Sequence, residues 1–206
     1  MSKPITLLSL FLLVFAFVPS ASAQDDGPRV VTLGSSSPLV EVRVMIPVGS
    51  MHDPAGKEGL AAITANALLE GGFGPEGEVV TKEELARITT PWGGSANPSV
   101  TVGKEATTLS MVIPREVLDT YVDTVLEPLL ATPRFDADEV ARLVNEARTY
   151  LTGALRFTQT EIVGLETLDN YVFEDTPRGH HVRGTVKGLD AITAADVRGI
   201  YNAHSR

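Results

Sequence analysis

The chain has 206 residues, 26 acidic against 17 basic, no cysteine and 43% hydrophobic side chains. That length fits about one domain, and neither the apolar content nor the 21% charged content marks a disordered chain. A formal charge of −9 supplies no basic face for a phosphate backbone, and the lack of cysteine excludes a disulfide framework, a thiolate zinc site and a cysteine nucleophile.

Residues 1–23 read as a secretory signal peptide. Lys3 gives a short positive start, Ile5 to Val18 is nearly all apolar, Pro19 breaks the run, and Ala21-Ser22-Ala23 places small residues before a cut after Ala23. A membrane anchor is the competing reading, but the run is too short to span comfortably. A cysteine-free exported chain fits a periplasmic or secreted location, with no membrane attachment after cleavage. Residues 24–29 are polar and read as a flexible start. The rest, 30–206, reads as one domain.

Within it Val30 to Leu33 suggests a short strand. Leu39 to Val48 alternates, with Val40, Val42, Val44 and Ile46 on one face and Glu41, Arg43 and Met45 on the other, as in a half-buried strand. A loop with Asp53-Pro54 follows. Gly59 to Glu70 is alanine-rich and reads as a buried helix ended by Gly71-Gly72. Thr81 with Glu84 three residues on predicts a capped helix to about Thr90. Ser95 to Val102 and Ala106 to Ile113, joined by Gly103-Lys104, predict a hairpin. Helices are expected over Pro114 to Leu130, Asp136 to Leu155 and Thr158 to Phe173. A loop over Asp175 to Gly188 precedes a last helix capped by Thr193 and running to about His204. This order predicts an α+β fold, an antiparallel sheet with helices packed on one face.

The pieces Val44-Met-Ile-Pro-Val-Gly-Ser50 with Asp53, Gly59-Leu60-Ala61, Gly93-Gly94 with Asn97, Pro128 to Phe135, and Gly184 with Leu189 to Val197 stand in an order that resembles the N-terminal half-domain of the insulinase-type (M16) zinc peptidases. The likeness runs over about residues 30–204. It implies that a further strand and helix normally follow, so the half-domain reads as truncated at its C-terminal end.

The family's active members carry H-x-x-E-H on the helix after Gly-Leu-Ala. Two histidines four apart share a helix face and grip one zinc, and the glutamate is general base for its water. The resemblance places Ala62 and Asn66 at the histidine positions and Ala65 at the glutamate position. Alanine has no lone pair for a metal or a proton, and a neutral amide oxygen is a poor zinc donor. The family's third ligand is a glutamate on a later helix, placed here at Glu146. Glu139, seven residues earlier, lies on the same helix face. The resemblance thus implies no catalytic residue and no bound metal in this chain, with Glu146 a vestigial ligand. Both glutamates also read simply as solvated helix carboxylates.

Other residues carry less. His180-His181 are adjacent, point apart in extended chain and read as a solvated loop; His52 and His204 are isolated in sequence. Ser35-Ser36-Ser37 has no nucleophile-elbow motif, and Gly71-Gly72-Phe73-Gly74 is no phosphate loop. Asn97 sits where the family runs an edge strand past its substrate, so a peptide-binding edge is expected there, weakened by Pro98.

Three readings stay open. One is an exported pseudo-peptidase that serves as partner or peptide-holding subunit beside an active M16 subunit, or that self-associates. The second is a zinc metalloendopeptidase whose motif lies elsewhere, although no second H-x-x-E-H or H-E-x-x-H occurs in the chain. The third is a truncated product with no function of its own.

Overall fold

The computed structural model describes residues 29–204. The signal peptide and its cleavage point lie outside the described residues. Residues 29–36, the described part of a first unit ending at Ser36, carry no regular secondary structure. The strand expected over Val30–Leu33 therefore does not form. Three apolar residues with no turn to aim them at a partner edge do not specify a ladder.

From Ser37 on the chain forms an α+β layer, as the order of elements predicts. Strands β1 (Leu39–Ile46), β2 (Ser99–Val102) and β3 (Thr107–Pro114) form an antiparallel sheet in the order β1-β3-β2. Register is set by hydrophobic pairing: Val44 opposes Leu109, Val42 opposes Met111, and Val100 opposes Leu109 from the other side. On β3 the alternate residues Thr107, Leu109, Met111 and Ile113 are buried against the helices. Glu41, Arg43 and Met45 on β1 face outward. β2 starts four residues later than expected. Gly94–Ala96 winds into a 3₁₀ turn that buries Ala96, whose carbonyl accepts from the Tyr121 hydroxyl at 2.7 Å.

The helices are α1 (Leu60–Glu70), α2 (Lys82–Thr89), α3 (Leu118–Tyr121), α4 (Glu127–Ala131), α5 (Ala137–Thr152), α6 (Ala154–Thr158), α7 (Thr160–Val172), α8 (Val186–Asp190) and α9 (Ala194–His204). Thr81 caps α2 by accepting from the Glu84 N–H. Thr193 accepts from the Asp196 N–H at the start of α9. The single helix expected over 114–130 is broken by a π-helical stretch, Val122–Leu126. Pro128 has no N–H for the carbonyl four residues back, and the Glu127 N–H reaches Val122 across a wider turn. α5 ends at Gly153, earlier than expected, and α8 forms where a loop was expected.

α1 is the central helix, packed against β2, α5 and α9. Its small side chains permit this: Ala61, Ala62, Ala65 and Ala67 are all at most 6% exposed. Leu60, Leu68, Phe73, Leu129, Leu189 and Val197 close the core around it.

Candidate functional site

The start of α1 is fixed by Asp53. Its two carboxylate oxygens accept from the Gly59 and Ala61 N–H groups, each at 2.7 Å, so one buried side chain satisfies two open donors of the helix N-terminus. Burial pushes the Asp53 carboxyl up to about 6, against those two hydrogen bonds and against nearby His180. His180 places Nε2 4.0 Å from Asp53 Oδ2 with its own side chain only 13% exposed. The histidine pair is thus packed into the body rather than solvated as expected, and burial lowers the pKa of His181.

The loop leading into α8 closes over the same helix start. Gly184 has φ of 88°, and a Cβ there would lie 1.9 Å from the Glu58 carbonyl oxygen. Only glycine fits that backbone approach. The Gly59 and Gly184 segments, far apart in sequence, are two sides of one contact.

Between α1 and α5 lies a small crevice of about 100 Å³. Ala62, Asn66 and Glu70 line it from α1, Glu146 from α5 and Arg183 from the loop before α8. The structure therefore brings together three of the residues that the sequence singles out. It does not bring in Ala65, which is 5% exposed and turns toward Val48, Thr107 and Tyr201 between β1, β3 and α9. Glu139 lies in a neighbouring crevice with Glu70 and Arg142. Asn97 stands exposed just before edge strand β2, outside the strand itself.

The amide N–H and the carboxylates in the α1–α5 crevice are already engaged. Asn66 Nδ2 donates to the Ala62 carbonyl at 2.7 Å. Glu146 pairs with Arg142, and the same guanidinium takes Glu139 and reaches Glu70 at 2.5 Å. Lys82 adds a second cation 3.3 Å from Glu70. Burial opposes ionisation of Glu70, but the Arg142 and Lys82 contacts outweigh it and hold its carboxyl below its usual value. Glu139 and Glu70 raise the Arg142 pKa further. Arg183 lies over the Tyr150 ring, 4.2 Å from its centroid.

These residues do not fit a zinc ion. One side chain has no donor atom, one offers a neutral amide, and the two carboxylates that line the space, Glu70 and Glu146, are both paired with Arg142, while a second guanidinium, Arg183, lines it too. Among the described residues no three His, Cys, Asp or Glu side chains converge as metal ligands. Sequence reasoning passed over Glu70, Arg142 and Arg183. For the first two the signal was present: Glu70 is four residues beyond Asn66, and Arg142 sits between Glu139 and Glu146 at i+3 and i−4.

Residues 29–185 match the family model for insulinase, peptidase family M16. No curated protein matches the chain. Among solved structures, the peptidase M16 inactive domain from Pseudomonas fluorescens is 21% identical with a TM-score of 0.66 and covers 80% of this chain. The periplasmic protease PqqL from Escherichia coli is 14% identical, with a TM-score of 0.64 over 82% of the chain. A protease from Helicobacter pylori is also 14% identical, with a TM-score of 0.68 over 82%. These likenesses concern the fold. The chain spans 38%, 18% and 39% of those three proteins in turn.

Proposed function

The chain belongs to the insulinase family of peptidases, family M16, and on that premise we propose that it is a catalytically silent, exported member that holds peptide or partners an active zinc peptidase. One observation carries the reading: the crevice where the resemblance puts the zinc is lined by Ala62, Asn66 and Glu146, with the Asn66 amide N–H and the Glu146 carboxylate already bonded to protein groups. Without metal and base there is neither water activation nor carbonyl polarisation. What remains is a scaffold with an edge strand, β2, whose backbone is able to pair with an extended peptide. That one structural neighbour is described as an inactive M16 domain supports the reading. Export is supported by the apolar leader in the sequence and by a periplasmic neighbour. No helix among the described residues is long and apolar enough to cross a membrane.

The test is cleavage of an unfolded casein-type substrate by the full chain, with and without added zinc. The proposal expects no cleavage above buffer in either condition. Zinc-dependent cleavage abolished by chelator and by Glu146→Ala would overturn it.

A further inference from the structure

Helix α7 turns apolar side chains outward. Its inward side is mixed, with Val163 and Phe173 half-buried beside Glu166, Asp169 and Asn170. Glu166 and Asp169 reach the Lys104 ammonium on the β2–β3 hairpin, at 3.8 and 3.2 Å, and that ammonium also donates to the Arg178 carbonyl at 3.0 Å and to the His180 carbonyl. Lys104 is only 13% exposed, so this is the anchored face. The apolar side points away. Ile162, Leu165, Leu168 and Val172 recur at spacings of three and four and are 39%, 62%, 60% and 63% exposed. No residue of α7 is buried. Leu165, Leu168, Val172 and Phe173 border an open groove of about 480 Å³ together with Glu166 and Asp169, whose carboxylates are paired with Lys104. A surface helix normally does the reverse, and a contiguous exposed stripe of this kind marks an interaction surface.

Charge selects what covers it. The exposed charges at the ends of the stripe are Arg156 and Glu161 before it, and Glu174 and Asp175 after it, so the rim is net acidic. Lys104 is spent beneath the helix on Glu166 and Asp169. A second copy would bring the same acidic rim, on a chain of formal charge −9, and the two would repel. Gly164 lies within this helix, and a Cβ there would meet nothing within 4 Å, so another helix backbone has room to approach. We propose that the outer face of α7 docks an amphipathic helix of another protein whose apolar stripe is flanked by lysine or arginine. The proposal is independent of whether α1 carries chemistry.

The experiment uses the chain expressed in full and two synthetic 18-residue amphipathic peptides, with the same leucine stripe but flanked by lysine in one and glutamate in the other. Fluorescence anisotropy should show saturable binding of the lysine peptide and at least about tenfold weaker binding of the glutamate peptide. Leu165→Ser/Leu168→Ser should weaken the lysine peptide by about tenfold or more without moving the melting temperature, because both side chains are exposed. Glu161→Lys/Glu174→Lys/Asp175→Lys should reverse the preference. Equal binding by the serine variant would reduce the effect to general charge attraction and overturn the proposal. A concentration-dependent dimer of the chain that Leu165→Ser/Leu168→Ser dissolves would make the occupant a second copy, and would overturn it as well.

Discussion

Asn66 donates its side-chain N–H to the carbonyl oxygen of Ala62, 2.7 Å away and four residues back on α1. On the reading proposed above, in which these two positions stand for the zinc histidines of active relatives, the Asn66 N–H is satisfied within its own helix. Changing them tests how much of the site is left. We predict that Ala62→His/Asn66→His binds zinc weakly through both imidazoles and Glu146. Adding Arg142→Ala should tighten it by about tenfold, because Glu146 is then no longer shared with a guanidinium. Isothermal titration with zinc reads both steps. Equal affinity with and without Arg142 would show that the arginine does not hold Glu146 in solution.

Ala65 gives a different expectation. It is 5% exposed among Val48, Thr107 and Tyr201. The adjoining space of about 30 Å³ does not accommodate a glutamate side chain. Ala65→Glu should cost about 2–4 kcal/mol of unfolding free energy, from overpacking and a charge without a partner. Urea denaturation of the variant checks this, and a loss below about 0.5 kcal/mol would mean that α9 yields readily.

Asp53 links the helix start to pH. Burial raises its carboxyl to about 6 in the folded chain, from an ordinary value of 3.8. The folded state therefore holds the Asp53 proton more tightly than the unfolded state. This contribution to stability is fully present below the unfolded value and is lost as pH rises through the folded one. Between about pH 4 and pH 6 the group should make stability fall as pH rises, and Asp53→Asn should flatten that part of the profile. Carboxyl NMR titration of Asp53 with a midpoint near 4 would contradict the assignment.

Gly184 is the tightest of the backbone contacts around α1. With its φ of 88° and the Glu58 carbonyl in the way, Gly184→Ala should destabilise by at least about 2 kcal/mol, whereas Gly164→Ala, in open space inside helix α7, should stabilise by about 0.5–1 kcal/mol. Thermal melts of the two variants separate these outcomes. Equal melts would mean that the loop before α8 relaxes freely.

Much of the frame was legible because it rests on local periodicity. The alternation from Leu39 to Ile46 gave β1 and its half-buried face, and the alanine-rich stretch gave α1 to within a residue. The misses come from interactions that local pattern does not encode. The π stretch depends on one missing N–H at Pro128. Val30–Leu33 has the composition of a strand but no ladder partner. At the site, spacing put Glu139 and Glu146 on one helix face, where Arg142 takes both, but only the fold puts Glu146 beside Ala62 and Asn66 and Glu139 in the next crevice. Arg183 enters from the loop before α8, and nothing local in sequence announces it.

The most direct measurement is the metal content of the full chain, made without an affinity tag, equilibrated with equimolar zinc at neutral pH, desalted and analysed by mass spectrometry. Ala62 and Asn66 supply no strong donor, and Glu146 is paired with Arg142. The account predicts zinc far below one ion per chain, unchanged by Glu146→Ala. One zinc per chain, lost on Glu146→Ala, would contradict it.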